Sequence, residues 1–348
     1  MPVKRINLKA LSERDLLEFI VREGLPTFRM RQLVHWIYER YACSIEEITE
    51  FSRRLREDLS KSAYIGNITL LEKKMSADGT TKYLFGLEDG ESIESVLIPD
   101  EDRLTLCISS QVGCAMACRF CLTGIIGLRR NLQPHEIIDQ FISVSRETSP
   151  VRLTNVVLMG MGEPLANFDN VVEALWRMVN FAHISPRRIT LSTAGIAPKI
   201  IELPQKAPPV NLAISLNATT DGARDLIMPI NRTYPLAALI SACREYPLAP
   251  RRRITFEYVL LKGVNDSPAD AVRLSNLLRG IPAKVNLIPF NPYEGAEFER
   301  PDDSRVLAFQ KILVDRHITA IIRKSKGRDV GAACGQLRAR YSMNARQS

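Results

Sequence analysis

Apolar positions along this chain change their spacing twice, and each change marks a change of architecture. Over residues 1–65 they recur at helical spacing. Ser12 precedes the run Glu13-Arg14-Asp15-Leu16-Leu17-Glu18-Phe19-Ile20-Val21 and Gly24 closes it, which predicts a capped helix. Leu33, Trp36 and Ile37 predict a second helix over 29–41, and Ser44 with Glu47 reads as the capping box of a third. Alternating runs at 83–86 and 92–98 then flank Asp89-Gly90, a hairpin signal. From Leu104 onward, short apolar runs alternate with helical patterns. Strands are expected at 104–110, 155–159, 188–192, 210–216, 254–260 and 284–288, with a seventh at 319–322. Helices between them include 134–145, 169–181, 236–244 and 268–279. This βα alternation implies right-handed crossovers and a parallel sheet. Six to seven such units are too few for a closed eight-stranded barrel. The expected fold is therefore α/β, a partial (β/α)6 TIM-like barrel over 100–337. An N-terminal helical domain (1–65) and a small β-hairpin extension (66–99) precede it, and a short tail (338–348) follows.

Composition narrows the setting. The N-terminus, Met-Pro-Val-Lys-Arg-Ile-Asn, lacks the apolar core of a signal peptide, and no apolar run approaches the ~20 residues of a membrane helix. A cytoplasmic location without membrane association is expected. An odd count of seven cysteines argues against a disulfide framework. The net charge of +8 favours a polyanionic partner such as RNA. Arg29, Arg31 and Arg40 suit either an RNA-binding helical domain or a helical cap with solvated charges.

The densest chemistry is the loop Gly113-Cys114-Ala115-Met116-Ala117-Cys118-Arg119-Phe120-Cys121, a C-x3-C-x2-C spacing with no fourth cysteine close behind it. A four-iron cluster normally takes four thiolates, so three leave one iron open to a substrate or cofactor. The same three thiols also suit a zinc ion, with Cys107 or His135 as fourth ligand. In parallel βα folds the active site lies at the C-terminal strand ends. The unusual residues collect there: the cysteine loop, Met159-Gly160-Met161-Gly162-Glu163-Pro164, Ser192-Thr193-Ala194-Gly195, Ser215-Leu216-Asn217, Asn265-Asp266 and Asn291-Pro292. Glycines admit a ligand close to the backbone, and Glu163 can accept from an ammonium group. Ser192, Ser215 and Asn291 suit ribose and carboxylate groups.

Together with its context IESVLIPDEDRLTLCISSQVGCAMACRFCLTG (93–124) and the segment Gly331-Ala332-Ala333-Cys334-Gly335-Gln336-Leu337, the cysteine motif resembles the radical S-adenosylmethionine (SAM) enzymes. Within them it is similar to the dual-specificity RNA methyltransferases that act on carbon 2 of adenine, over about 28–337. The resemblance implies a barrel of the radical SAM type. It implies one [4Fe-4S] cluster on Cys114, Cys118 and Cys121, whose open iron chelates SAM. It places SAM contacts at Gly162, Glu163, Ser192, Ser215, Leu216, Asn217 and Asn291. An adenine ring carbon is no nucleophile, whereas a thiolate is a strong one. The resemblance accordingly makes Cys334 the acceptor of a methyl group from a first SAM. A radical from a second SAM activates that methyl for addition to carbon 2. Glu94, which interrupts an apolar strand, matches the family's proton acceptor. Cys107 then releases the product by forming a transient disulfide with Cys334.

The implied substrates are an adenosine near the peptidyl transferase centre of 23S rRNA and the adenosine 3′ of the tRNA anticodon, both in non-helical RNA. A flavodoxin-type electron donor and a monomeric protein are implied too. Arg129 and Arg130, and Arg251-Arg252-Arg253, are candidates to hold phosphates, although a solvated basic face is the favoured reading of the triple arginine. The small residues around Cys334 suit a mobile carrier loop. Cys43 and Cys243 read as buried small hydrophobes. Two residues depart from the family: Asn217 stands where histidine is frequent, and Leu122 replaces a small residue. Three rivals remain. One is a carbon-8 methyltransferase relative, against which the stretch Ile93–Pro99 argues; the others are a zinc-stabilised RNA-binding protein and a thiol–disulfide redox protein.

Overall fold

The computed structural model of the chain describes residues 5–338. Ten strands form one sheet, and spatial neighbours follow chain order. β1 (Thr69–Met75), β2 (Thr81–Gly86) and β3 (Ser92–Asp100) are antiparallel. β4 (Arg103–Cys107) runs antiparallel to β3 and parallel to β5 (Asn155–Leu158). The parallel series continues through β6 (Ile189–Thr193), β7 (Asn211–Ser215), β8 (Ile254–Leu260), β9 (Ala283–Pro289) and β10 (Thr319–Ile322). From β4 to β10 that makes seven parallel strands, one short of a closed barrel, so the sheet stays open.

The expected hairpin carries a third strand, β1. All seven of its residues are exposed. An edge strand with two solvated faces needs no alternation, so periodicity does not reveal it.

Register shows which side chains face the barrel interior. Tyr258 packs against Phe309 of the helix Asp303–Asp315, ring centroids 5.4 Å apart, and so faces outward. Its neighbour Glu257 faces inward, because side chains alternate along a strand. Residues in register share a face. Ser215, Glu257 and Asn286 form one inward row, Ser192, Ala213, Thr255 and Lys284 a second, and Cys107, Val157 and Thr190 a third. Closed barrels fill this space with branched apolar side chains. Here it is largely polar, which suits a bound polar ligand.

The N-terminal helices Glu13–Arg22, Phe28–Tyr38 and Arg53–Ser62 pack on Leu16, Ile20, Leu33, Ile37 and Phe51. Ile6–Asn7 pairs parallel with Ala63–Tyr64 and closes the unit. The Ser12 cap forms as expected, with its hydroxyl accepting from the Asp15 amide at 3.2 Å. The box at Ser44 does not form. Ile45, Ile48 and Phe51 are buried at intervals of three, and 45–47 makes a 3-10 turn while Glu47 accepts from the Cys43 amide at 3.2 Å. The third helix instead begins after Ser52. Its highly charged sequence, with Leu59 alone buried, hides it from an apolar count.

Three polar ties fasten this unit to the barrel. Lys9, fully buried, pairs with Asp139. Arg177 donates to the Lys9 carbonyl at 2.6 Å and to the Leu11 carbonyl at 2.9 Å. Arg146 donates to the Tyr41 carbonyl at 2.7 Å. Buried ion pairs of this kind add little net stability but fix orientation. No helix among the described residues is long and apolar enough to cross a membrane.

Candidate active site

The cysteine loop is stretched between two short antiparallel strands, Gln111–Gly113 and Leu128–Asn131. Gly113 makes that closure possible. Its φ is +77°, and a Cβ there would lie 1.8 Å from the Gly127 carbonyl oxygen. The Cys114 amide donates to that same oxygen at 3.0 Å. The five-residue helix Leu122–Ile126 closes the loop from below, with Gly124 packed against the Cys118 backbone. Leu122 donates its amide to the Gly335 carbonyl at 2.8 Å, so the position that departs from the family docks the Cys334 segment through its backbone.

The three thiols stand within electrostatic reach of one another. Burial pushes Cys114 up to about 12, and Cys118 is raised by burial, by Cys121 and by Cys114. Thiols gathered on one loop are a donor set for iron, which binds cysteine as thiolate and releases the thiol protons. Among the described residues, no three His, Cys, Asp or Glu side chains converge closely enough to hold a single metal ion. The two residues considered as a fourth zinc ligand have other neighbours. Cys107 senses Cys334, and His135 stands beside Glu88, Glu136 and Asp139. The three thiols of one loop suit the ligand chemistry of an iron–sulfur cluster.

Around the loop lie the strand-end residues. Gly162 has φ +103°, and any side chain there would strike Gln111, whose Oε1 accepts from the Glu163 amide at 2.8 Å. Glu163 is buried; its carboxylate accepts from the Leu165 amide at 3.0 Å and the Ala194 amide at 2.6 Å. Burial raises its pKa, and hydrogen bonds from the Thr193 hydroxyl and from these two amides oppose the rise. A carboxylate offers about four lone-pair sites, so one remains for a donor such as an ammonium group. Ser192 and Ser215 face the interior as above. Leu216 is fully buried, and its amide donates to the Glu257 carbonyl at 3.0 Å. Asn291 is buried with its Oδ1 unpartnered among the described residues, an acceptor suited to a ligand donor.

Asn217 adopts φ +58°, a region asparagine tolerates. Its side chain is committed to the fold. Oδ1 accepts from the Val259 amide at 2.8 Å, and Nδ2 points to the Met228 sulfur at 3.2 Å. Only its backbone is left for a ligand, and Asn265 already donates to its carbonyl at 2.6 Å.

Cys334 is exposed, whereas Cys107 is buried. Burial raises the Cys107 thiol, and the charge on Cys334 raises it further. The segment around Cys334 is tethered on both sides and is not a loose loop. Lys82 donates to the Gly331 carbonyl at 3.3 Å, Gln336 to the Pro292 carbonyl at 3.0 Å, and Thr123 to the Leu337 carbonyl at 2.9 Å. Glu94 lies at the same place. Its carboxylate pairs with Lys82 at 3.2 Å and accepts from the Arg338 amide at 2.5 Å.

Sequence reading missed three residues here. Arg224 is fully buried and ties strand ends together, donating to the carbonyls of Ala194 (2.6 Å), Leu216 (3.0 Å) and Ser215 (3.3 Å). Desolvation lowers it to about 10. Gln111 braces the Gly162 turn. Glu257, held by Asn286 at 2.8 Å, is a buried carboxylate raised by desolvation, and its charge reaches Cys334. None of the three carries a motif.

Of the five arginines expected to hold phosphates, four have partners within the fold and Arg251 is exposed. Arg130 is consumed by Asp89 (2.5 Å) and Glu136 (2.8 Å), and Arg129 stands 3.9 Å from Glu91. Arg252 and Arg253 bind the Pro209 carbonyl and the Thr319 hydroxyl at the starts of β8 and β10, the far end of the barrel.

The Radical SAM superfamily pattern matches residues 108–274, and the Ribosomal RNA large subunit methyltransferase N-terminal domain matches residues 6–65. The chain is 53% identical over 337 residues to the dual-specificity RNA methyltransferase RlmN of Pelobacter propionicus, covering 96% of each. It is 54% identical over 335 residues to that of Geobacter sulfurreducens, covering 96% of this chain and 92% of the relative. A crystal structure of a radical SAM methyltransferase from Sphaerobacter thermophilus superposes with a TM-score of 0.92 at 42% identity, over 96% of this chain and 100% of that one. The superfamily implies a [4Fe-4S] cluster and SAM, and the thiols and strand-end groups fit both. This chain belongs to the RlmN family of dual-specificity RNA methyltransferases, within the radical SAM superfamily.

Proposed function

We propose that this protein methylates carbon 2 of an adenine in 23S rRNA, and of the adenine 3′ of the tRNA anticodon. Cys114, Cys118 and Cys121 hold the cluster, and one iron stays open for SAM. Gly162, Glu163, Ser192, Ser215, Leu216, Asn217 and Asn291 line the SAM site, Asn217 through its backbone. When bound, cluster and SAM supply one-electron cleavage of a sulfonium and the hydrogen abstraction that follows. The remaining steps belong to the chain's own residues. Cys334, exposed beside the cluster loop, carries the methyl carbon that bonds to adenine carbon 2. Glu94, beside the Cys334 segment through Lys82 and Arg338, takes the carbon-2 proton. Once the adduct has lost its unpaired electron, Cys107, buried within electrostatic reach of Cys334, attacks the Cys334 sulfur as thiolate; a disulfide forms, the bond from that sulfur to the methylene carbon breaks, and the carbon left on the base takes up a proton to become the methyl group. A flavodoxin-type protein supplies the electrons.

The observation that carries this reading is the meeting of Cys107, Cys334 and Glu94 beside a three-thiol loop at one end of a polar half-barrel. The test is nucleoside mass spectrometry of RNA treated with reduced, SAM-supplied protein. 2-Methyladenosine is expected; 8-methyladenosine or unmodified RNA would overturn it. Cys107→Ala protein is expected to retain RNA on Cys334 as a covalent adduct resistant to denaturant, and release of free methylated RNA at the wild-type rate would contradict the role of Cys107.

A further inference from the structure

Past the end of β10 the chain reads Arg323-Lys324-Ser325-Lys326-Gly327-Arg328, four cations in six residues. This run was not among the expected phosphate ligands. It leaves the C-terminal end of the last parallel strand, the end that carries the cysteine loop, and leads directly into the Cys334 segment. Its backbone is fixed. The Arg323 amide donates to the Leu287 carbonyl at 2.8 Å. The Gly327 amide donates to Asp78 at 2.9 Å, and its carbonyl accepts from the Ala332 amide at 2.8 Å. Next to the run, Asp329 accepts from the Ser76 hydroxyl at 2.5 Å and from the Ala77 amide at 3.2 Å. Both aspartates are thus spent on the turn between β1 and β2.

Three of the four cations are not spent, and the fourth, Arg323, stands within electrostatic reach of buried Glu257. Among the described residues none of Arg323, Lys324, Lys326 and Arg328 forms an ion pair or a side-chain hydrogen bond, and all but the half-buried Lys326 are exposed. Several other basic groups near the reactive thiols are occupied: Arg119 by Glu297 at 2.8 Å, Arg130 by Glu136, Lys82 by Glu94 and Arg224 by carbonyls. Ordered backbone with unpaired cations is what a phosphate grip needs, because no internal pair must break on binding and little backbone entropy is lost.

We infer that residues 323–328 form a phosphate-binding rim that holds the sugar–phosphate backbone of the substrate RNA next to the adenine delivered to Cys334. The inference rests on RNA being the substrate. It assigns a sequence-independent role: the rim fixes the strand while the pocket selects the base.

The test measures binding of a fluorescent RNA hairpin to cluster-loaded protein at several salt concentrations, alongside methylation of the same hairpin. Each single-strand phosphate contact contributes about 0.7 to the slope of log affinity against log salt. Lys324→Gln, Lys326→Gln and Arg328→Gln combined is expected to reduce that slope by about 2 and to weaken methylatable and adenine-free hairpins equally. Lys324→Arg with Lys326→Arg is expected to keep the wild-type slope. Matching melting temperatures and cluster absorbance exclude a folding defect. An unchanged slope in the triple variant, with wild-type protein still methylating the hairpin, would overturn the rim and leave the proposed function intact. Absence of methylation by wild-type protein with a slope that still falls would overturn the proposed function and leave the rim as an RNA-binding surface.

Discussion

At the scale of single residues, backbone geometry decides more than side-chain identity suggests. Gly113 is required because a Cβ would meet the Gly127 carbonyl at 1.8 Å and because its φ is positive. Gly113→Ala is expected to cost roughly 1–3 kcal/mol in strain, more with the clash, and to abolish cluster loading, read as iron and sulfide per chain. A full iron complement in that variant would contradict the account. Asn217 is the residue whose role the sequence concealed. Its departure from the family's frequent histidine raises doubt about ligand contact, yet its side chain is turned away, completing the Val259 amide. Asn217→Ala is expected to lower stability by about 1–3 kcal/mol through that orphaned amide, with a smaller effect on SAM affinity. A large loss of SAM affinity at unchanged melting temperature would mean the amide faces the ligand. The cysteines and the Gly162 turn were legible because their spacing is itself a signal. Arg224 was not, because its role lies in three carbonyls brought together only by the sheet.

At the scale of elements, the strand ends were legible and the helix and edge boundaries were less so. The parallel strands announced themselves as apolar runs between helical patterns. β1 did not, because both its faces are wet, and the helix Arg53–Ser62 did not, because its surface is nearly all charge. The turn between β1 and β2 has a function no pattern suggested: it clamps the segment leading to Cys334. Burial alone would raise Asp78, but hydrogen bonds from Thr80 and Gly327 outweigh it and bring the carboxyl down to about 2. A carboxyl depressed on folding stabilises the fold above its unfolded value and loses that contribution as pH falls through its folded value. The clamp is therefore expected to hold at neutral pH and to loosen between about pH 4 and 2. The protection factor of the Gly327 amide, its exchange rate corrected for the intrinsic pH dependence of amide exchange, is expected to fall over that window, and to be low throughout in Asp78→Asn. A protection factor independent of pH in wild type would show that Asp78 does not hold the segment.

At the scale of the whole molecule, a ten-stranded sheet joins the antiparallel extension to the half-barrel without a break. That continuity brings Glu94 from β3, Cys107 from β4 and Cys334 from beyond β10 to one end of the sheet. Sequence alone indicated that a half-barrel would gather strand ends. It did not indicate that the Cys334 segment is tethered to the cluster loop, since those bonds run from backbone groups of Leu122 and Gly335 that carry no signature. The central claim is that Cys334 carries the transferred carbon. The most direct test is peptide mass spectrometry of the Cys334 fragment, from cluster-loaded protein supplied with SAM and kept free of oxygen. The account predicts one added methyl group on Cys334 in wild type and none in Cys118→Ala protein. An unmodified Cys334 in protein with an intact cluster and bound SAM would contradict it.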